Sequence, residues 1–206
     1  MDSKNKFSKI FFIAILVPIF ILAVIIFSRR MITPSNQQIV DYLYNMKNYS
    51  CKVEYTFINS KGEYRESTDQ YYSAGKGMRV EFKDEDGRVK VYKGSDIQIY
   101  GENGHDYIID TNIDEIYPLA FIENILNNKI SGEIETVNTE WSDKEYIKIS
   151  LDYSNSNKHL DKAEFYVDKK LKAPALLKVF DDSGKERILV TYKDFIANSE
   201  LNDNLF

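Results

Sequence analysis

The residues that could carry metal or nucleophilic chemistry are few and lie apart in the sequence. The two histidines, His105 and His159, fall in different predicted loops, and Cys51 is the single cysteine. A zinc site needs three or four clustered ligands, and a nucleophile needs a neighbouring base. The sequence contains neither a Gly-x-Ser-x-Gly motif nor a glycine-rich phosphate loop. It therefore predicts no catalytic, cofactor-binding or metal-binding residue, and a protein that is not an enzyme.

One short acidic motif resembles the start of a calcium loop. Asp110, Asn112 and Asp114 alternate as the first ligands of an EF-hand do. Glu115 stands where that loop needs glycine, and Phe121 stands where it needs the bidentate glutamate. The remaining acidic residues are scattered, as on a solvated surface. We therefore predict no calcium site.

The longest apolar stretch runs from Ile10 to Phe27 and contains no charged residue. As a helix, eighteen residues reach about 27 Å, close to the thickness of a bilayer core. We therefore predict one transmembrane helix at 10–27. A cleaved signal peptide and a buried core helix are the alternatives.

The span divides the chain into four predicted parts. Residues 1–9 form a cytoplasmic basic head, 10–27 the transmembrane anchor, 28–34 a linker, and 35–206 an extracytoplasmic β domain. More lysines precede the span than arginines follow it, which favours a cytoplasmic N-terminus. The predicted location is the cell membrane, as a single-pass protein.

The domain beyond the span is acidic. The whole chain has 27 basic and 32 acidic residues. The first thirty residues hold five basic groups and one acidic group, which leaves a net charge of −9 for the remainder. This charge argues against nucleic acid as a partner. A single cysteine excludes an internal disulfide, so Cys51 is either a buried free thiol or the cross-link of a homodimer.

The hydrophobic pattern of the domain is mostly that of short strands. Residues 35–47 carry one apolar helical face, and from Cys51 onward apolar and polar residues alternate. A second apolar helix is predicted at 117–126. About ten strands joined by short connections predict an antiparallel sheet. The expected fold is mainly β (α+β), a curved sheet or half-open barrel covered by two helices and preceded by the transmembrane helix.

The aromatic residues leave one functional question open. The chain has 15 tyrosines and 12 phenylalanines. Tyrosine-rich strands can be merely half-buried β surface. The alternative is a groove on the concave face that receives an acyl chain or a partner's side chains.

The order of these elements resembles a known family. The resemblance covers about residues 36–206 and lies in the stretches 38–43, 91–94, 116–122, 165–167, 190–195 and 201–206. They resemble the GerS-like clostridial spore-germination lipoproteins, which have the LolA/LolB-like lipoprotein-carrier fold. GerS-like proteins look lipidated at an N-terminal cysteine, whereas this chain has a predicted span and no lipidation motif.

The resemblance implies a non-enzymatic envelope protein of a spore-forming bacterium, placed in the forespore envelope. Its implied role is to bind and support a peptidoglycan amidase that acts on the spore cortex. The alternative is a lipid- or lipoprotein-binding carrier that uses the concave face of the half-barrel.

Overall fold

The computed structural model describes residues 14–25, 34–84, 87–101, 106–153 and 157–206. The chain forms two compact units, 1–35 and 36–206. In the first unit, residues 14–25 form helix α1, whose large apolar side chains are all at least 45% exposed. No helix among the described residues is long and apolar enough to cross a membrane. The predicted span extends beyond the described residues at both ends, so it stays a prediction.

The second unit begins with helix α2, Asn36–Tyr44. Its apolar face is fully buried, with Ile39 and Leu43 at most 1% exposed, so the predicted core packing of this helix is confirmed. The predicted end near Lys47 is wrong. The backbone N–H and the side-chain amide of Asn45 both donate to the carbonyl of Asp41, which closes the helix earlier.

Within the described residues, twelve strands follow in one sheet. They are β1 Asn48–Asn59, β2 Gly62–Ser73, β3 Gly77–Phe82, β4 Val89–Lys93, β5 Asp96–Tyr100, β6 Tyr107–Asp110, β7 Lys129–Ile130, β8 Glu135–Thr139, β9 Ser142–Asp152, β10 Lys162–Asp168, β11 Ala173–Phe180 and β12 Glu186–Ala197. The predicted number of about ten is too low. A two-residue strand such as β7 is too short to show the alternation on which the prediction depended.

All neighbouring strands are antiparallel, as predicted, and the sheet is open. Its order is β6-β5-β4-β3-β2-β1-β12-β11-β10-β9-β7, with β8 also paired to β9. The first and last strands therefore lie side by side at the centre. From there the chain extends outward as one meander on each side.

One face of the sheet, here called the inner face, carries the hydrophobic core. It includes alternate side chains of β1, such as Tyr49, Val53 and Tyr55, and residues of β9, β10 and β12. Helix α2 packs in the same core, together with residues 111–126, here called the insertion. The mainly β class is therefore confirmed.

The insertion is not the single helix predicted at 117–126. It consists of two 3₁₀ turns, Thr111–Ile113 and Tyr117–Ala120, followed by helix α3, Ile122–Leu126. Phe121 separates the last two with an extended backbone (φ −80°, ψ 132°). Its side chain is completely buried. A continuous helix would fit the spacing of the apolar residues in the sequence. With one extended residue, both the 3₁₀ turn before Phe121 and helix α3 after it bury their apolar side chains.

Candidate functional site

The residues considered for metal or nucleophilic chemistry do not come together in the described part of the chain. No group of three or more His, Cys, Asp or Glu side chains there could hold a metal ion. His159 lies in an exposed loop, and His105 lies outside the described residues. Cys51 is 5% exposed, and burial raises the pKa of its thiol. The predicted buried free thiol is confirmed, whereas a homodimer stays a prediction.

The calcium-like motif serves the fold instead. Asp110 accepts a hydrogen bond from the backbone N–H of Asn112 at 2.8 Å. Asp114 is buried and accepts from Lys90 Nζ at 2.6 Å and from the Tyr92 hydroxyl at 2.7 Å. The carboxylate that would be a third calcium ligand is therefore engaged with a buried lysine.

Three tyrosine hydroxyls of the inner face bind the backbone of the insertion. The Tyr55 hydroxyl donates to the carbonyl of Tyr117 at 3.2 Å, and the Tyr192 hydroxyl donates to Ala120 at 2.7 Å. The third, Tyr49, accepts from an N–H of α3. Burial raises the pKa of Tyr49, Tyr55 and Tyr192 well above the usual range. These hydroxyls therefore keep their protons and bind the insertion as neutral groups.

A second set of contacts fixes Tyr117, the first residue of the second 3₁₀ turn. The Tyr117 hydroxyl donates to Glu66 Oε2 at 2.6 Å, and Lys90 Nζ lies 4.4 Å from the centre of the Tyr117 ring. Burial, then the hydrogen bond to Glu66, raises the pKa of Tyr117. Sequence reasoning missed these pairings because their partners lie 51 and 27 residues apart in the chain. The only signal was the recurrence of tyrosine at inward-facing strand positions.

The apolar side chains of the insertion pack against the inner face of the sheet and leave little of the covered area accessible. Ala120, Phe121, Ile122 and Ile125 are at most 1% exposed. Three of the tyrosines that suggested an acyl-chain groove, Tyr49, Tyr55 and Tyr192, thus contact the protein's own backbone.

A different opening lies within the sheet itself, between β11 and β12. The pairing of these strands ends at Leu176 and Thr191. Beyond that point, β11 remains paired with β10 and β12 remains paired with β1. The two halves of the sheet separate there and leave a groove of about 630 Å³. We call this groove the β11–β12 cleft; its lining includes Trp141, Tyr146, Leu171, Pro174, Lys193 and Phe195.

The rim of the cleft is apolar and exposed. Trp141 is 50% exposed, and its ring lies 4.5 Å from that of Tyr146. Leu171, on the turn between β10 and β11, is 64% exposed. Asp168 shapes this turn by accepting from the N–H of Leu171 at 2.8 Å and from Lys144 Nζ at 3.0 Å. Burial alone would raise the pKa of Asp168, but these bonds hold it below its usual value.

Sequence reasoning did not identify this cleft. The cleft depends on where two strand pairings diverge, and alternation within a single strand does not carry that information.

Several solved structures are similar to this chain. An uncharacterized conserved protein from Thermus thermophilus is 15% identical, with 84% of this chain and 93% of that chain covered and a TM-score of 0.54. The LolA superfamily protein NE2245 from Nitrosomonas europaea is 12% identical, covering 84% and 97%, with a TM-score of 0.46. The GerS lipoprotein of Clostridioides difficile, solved with the CwlD amidase, is 22% identical, covering 79% and 91%, with a TM-score of 0.46. Curated proteins gave no match.

The sequence pattern of one protein family matches residues 8–206, nearly the whole chain. This match covers α1, α2, the complete sheet and the insertion. The prediction of a sporulation family is thereby confirmed: the chain belongs to the sporulation protein YdcC-like family.

Proposed function

We propose that this chain is a non-enzymatic, membrane-anchored envelope protein that binds and supports a cell-wall amidase acting on the spore cortex. Membership of a sporulation family supports the biological setting. The sequence resemblance to GerS-like proteins motivates the choice of an amidase as partner. In this role the chain provides a binding surface and the partner provides the chemistry.

The observation that carries the proposal is the filled inner face. A lipid carrier must offer its ligand an apolar cavity. Here the insertion occupies that face with buried apolar side chains and is bound by tyrosine hydroxyls of β1 and β12. Release of the insertion would break these buried bonds before any ligand bound. The filled face therefore favours a module that meets its partner through its outer surface.

The proposed placement follows from the predicted span. Residues 10–27 anchor the chain, and residues 35–206 lie outside the cytoplasm, in the forespore envelope. A retained anchor suits a stationary helper, because a shuttling carrier has to leave its membrane. The intact mass of the protein extracted from membranes tests this placement, and a mass that lacks the first thirty residues would contradict it.

Affinity capture tests the function. The tagged full chain, expressed in sporulating cells and captured after mild cross-linking, should recover a peptidoglycan amidase. The same amidase, purified, should release more product from cortex peptidoglycan with the chain than without it. The chain alone should release none. Recovery of no cell-wall hydrolase would overturn the proposal.

Native mass spectrometry separates this function from lipid carriage. The purified full chain should give its protein mass alone after gentle removal of detergent. A stoichiometric acyl-chain adduct would instead favour the carrier, and the insertion would then have to move.

A further inference from the structure

The β11–β12 cleft has a strand edge on each side. On one side, Tyr192, Lys193, Ile196 and Ala197 of β12 pair with β1, and a β-bulge at 194–195 interrupts the register between them. On the other, residues 173–175 of β11 lie beside β10. Between β11 and β12, the last register pair on this side is Leu176 with Thr191. The residues before Leu176 and those after Thr191 do not pair with each other. An unpaired strand edge presents backbone donors and acceptors that can bind another strand.

The β12 edge directs backbone groups into the cleft. The N–H of Asn198 donates to the carbonyl of Asn48 at 2.8 Å, so this pair is hydrogen-bonded across β1 and β12. Successive residues of an antiparallel strand alternate between its two neighbours. Ala197 therefore points its N–H and C=O away from β1, and it lines the cleft. At Asp194 the backbone has a positive φ of 50°, and Lys52 holds this carboxylate at 2.7 Å.

The rim provides contacts for an apolar side chain. Trp141 and Leu171 are both at least half exposed, although the domain buries most of its large apolar side chains. Aromatic side chains on an exposed rim are typical of protein interfaces, because they bury a large area when a partner binds.

The turn between β10 and β11, which borders the cleft, is basic. The overall net charge is −5, but the turn that borders the cleft contains Lys169, Lys170 and Lys172. Lys169 Nζ donates to a threonine hydroxyl, and Lys172 lies 5.4 Å from the centre of the Tyr42 ring, so these contacts leave both charges unneutralised. The cleft carboxylates Asp168 and Asp194 are each paired with a lysine. Such a surface attracts acidic groups.

We propose that the β11–β12 cleft binds an extended, acidic segment of a partner protein. The segment adds as a strand beside residues 192–197 of β12. It places one apolar side chain against Trp141 and Leu171 and directs its carboxylates toward the lysines of the 169–172 turn. This inference rests on the proposed function only in taking the partner to be a protein.

The single tryptophan makes binding directly measurable. Trp141 is the only tryptophan in the chain, so intrinsic fluorescence of the full chain reports on the cleft. The probes are heptapeptides that alternate aspartate with leucine, isoleucine or phenylalanine. Lysine-containing counterparts test charge, and peptides N-methylated at alternate positions test backbone pairing. At least one acidic peptide should cause a saturable change, at least tenfold weaker with its lysine and N-methylated forms. No saturable change, or equal binding of the N-methylated form, would overturn the inference.

A matched pair of variants locates the site. Leu171→Asp should weaken peptide binding at least tenfold, whereas Ile108→Asp should leave it unchanged; both residues are 64% exposed, and Ile108 lies on the β6 edge of the sheet. Lys170→Glu, a charge reversal at an exposed residue, should weaken binding without affecting the fold. Equal binding by Leu171→Asp and Ile108→Asp would contradict the proposed site.

Affinity capture, taken together with peptide binding, separates this inference from the proposed function. If the unmodified chain captures the amidase but binds none of the acidic peptides, the function holds and the cleft inference fails. If the unmodified chain captures no amidase but binds the acidic peptides, the cleft inference holds and the proposed function fails.

Discussion

The hydroxyl of Tyr49 accepts a hydrogen bond from the backbone N–H of Ile122 at 3.0 Å. Ile122 is the first residue of α3, where the N–H has no partner within the helix. Tyr49 is 1% exposed, and 73 residues separate it from Ile122. A side chain of the first strand thus caps the short helix that covers the inner face.

Replacing Tyr49 with phenylalanine tests this cap. The change leaves the buried N–H of Ile122 without an acceptor, so the free energy of unfolding should fall by about 1–3 kcal/mol. Tyr64→Phe is the control, because Tyr64 is 57% exposed and its change should stay within about 0.5 kcal/mol. Urea denaturation of both variants measures the difference. Equal stability of the two would mean that Tyr49 contributes only its ring.

Local sequence pattern predicts the parts of this fold that local contacts determine. The apolar face of α2 and the alternation from Cys51 to Phe57 were sufficient to identify a covering helix and a half-buried strand. The antiparallel sheet followed from the short connections. Each of these features depends on residues close together in the chain.

The parts that sequence reasoning missed depend on distant partners. The pairing of β1 with β12 joins residues about 140 positions apart. Phe121 is buried in the core, and tyrosines of β1 and β12 bind the residues on either side of it; these tyrosines are distant from it in sequence. The β11–β12 cleft exists because β11 follows β10 while β12 follows β1. Alternation predicts which face of a strand is buried. It does not predict with which neighbouring strand each end of it pairs.

The buried pair of Lys90 and Asp114 should contribute strongly to stability. Their side chains are 11% and 8% exposed, and Nζ lies 2.6 Å from Oδ2. Lys90→Met leaves a buried carboxylate without its cation, and breaking such a pair typically costs about 3–5 kcal/mol. Adding Asp114→Asn should recover part of this loss, since the unpaired charge is then removed.

An exposed pair is the control for this double-mutant cycle. Lys52 and Asp194 are also close, at 2.7 Å, but their side chains are 63% and 65% exposed. Lys52→Met should reduce the free energy of unfolding much less than Lys90→Met does, because water screens the exposed pair. Chemical denaturation gives all the values needed. If Lys90→Met lowers the free energy of unfolding as little as Lys52→Met does, the ion pair with Asp114 does not contribute as proposed.

Gly77 allows β3 to approach β4 closely. A Cβ atom at this position would lie 2.2 Å from the backbone carbonyl oxygen of Tyr92, so Gly77→Ala must displace the strand. Gly75, in the preceding turn, also has a positive φ, but a Cβ there would meet no atom within 4 Å. Both alanine variants carry backbone strain, and Gly77→Ala should cost about 1–3 kcal/mol more because of the overlap. Thermal unfolding of the two variants should show this order; equal losses would contradict it.

Asp181 organises the hairpin between β11 and β12 and should make the fold sensitive to acid. Its carboxylate accepts from the Ser183 hydroxyl at 2.6 Å, from the backbone N–H of Lys185 at 2.9 Å and from Arg187 Nε at 2.6 Å. These bonds hold the pKa of Asp181 well below its usual range, with the Ser183 hydroxyl contributing most. The folded state therefore binds this proton less readily than the unfolded state.

The sign of the pH dependence follows from that difference. Above the unfolded-state pKa of about 3.9, both states are ionised and the full stabilisation is present. It is lost as the pH falls below that value toward the lower folded-state pKa. Asp181→Asn should reduce the melting temperature at pH 7 and make it fall less steeply between pH 4 and pH 2. Asp182→Asn, at the exposed neighbour, should keep the steep fall of the unmodified chain. If the melting temperature of Asp181→Asn falls with pH as steeply as that of the unmodified chain, other carboxylates must account for the acid sensitivity.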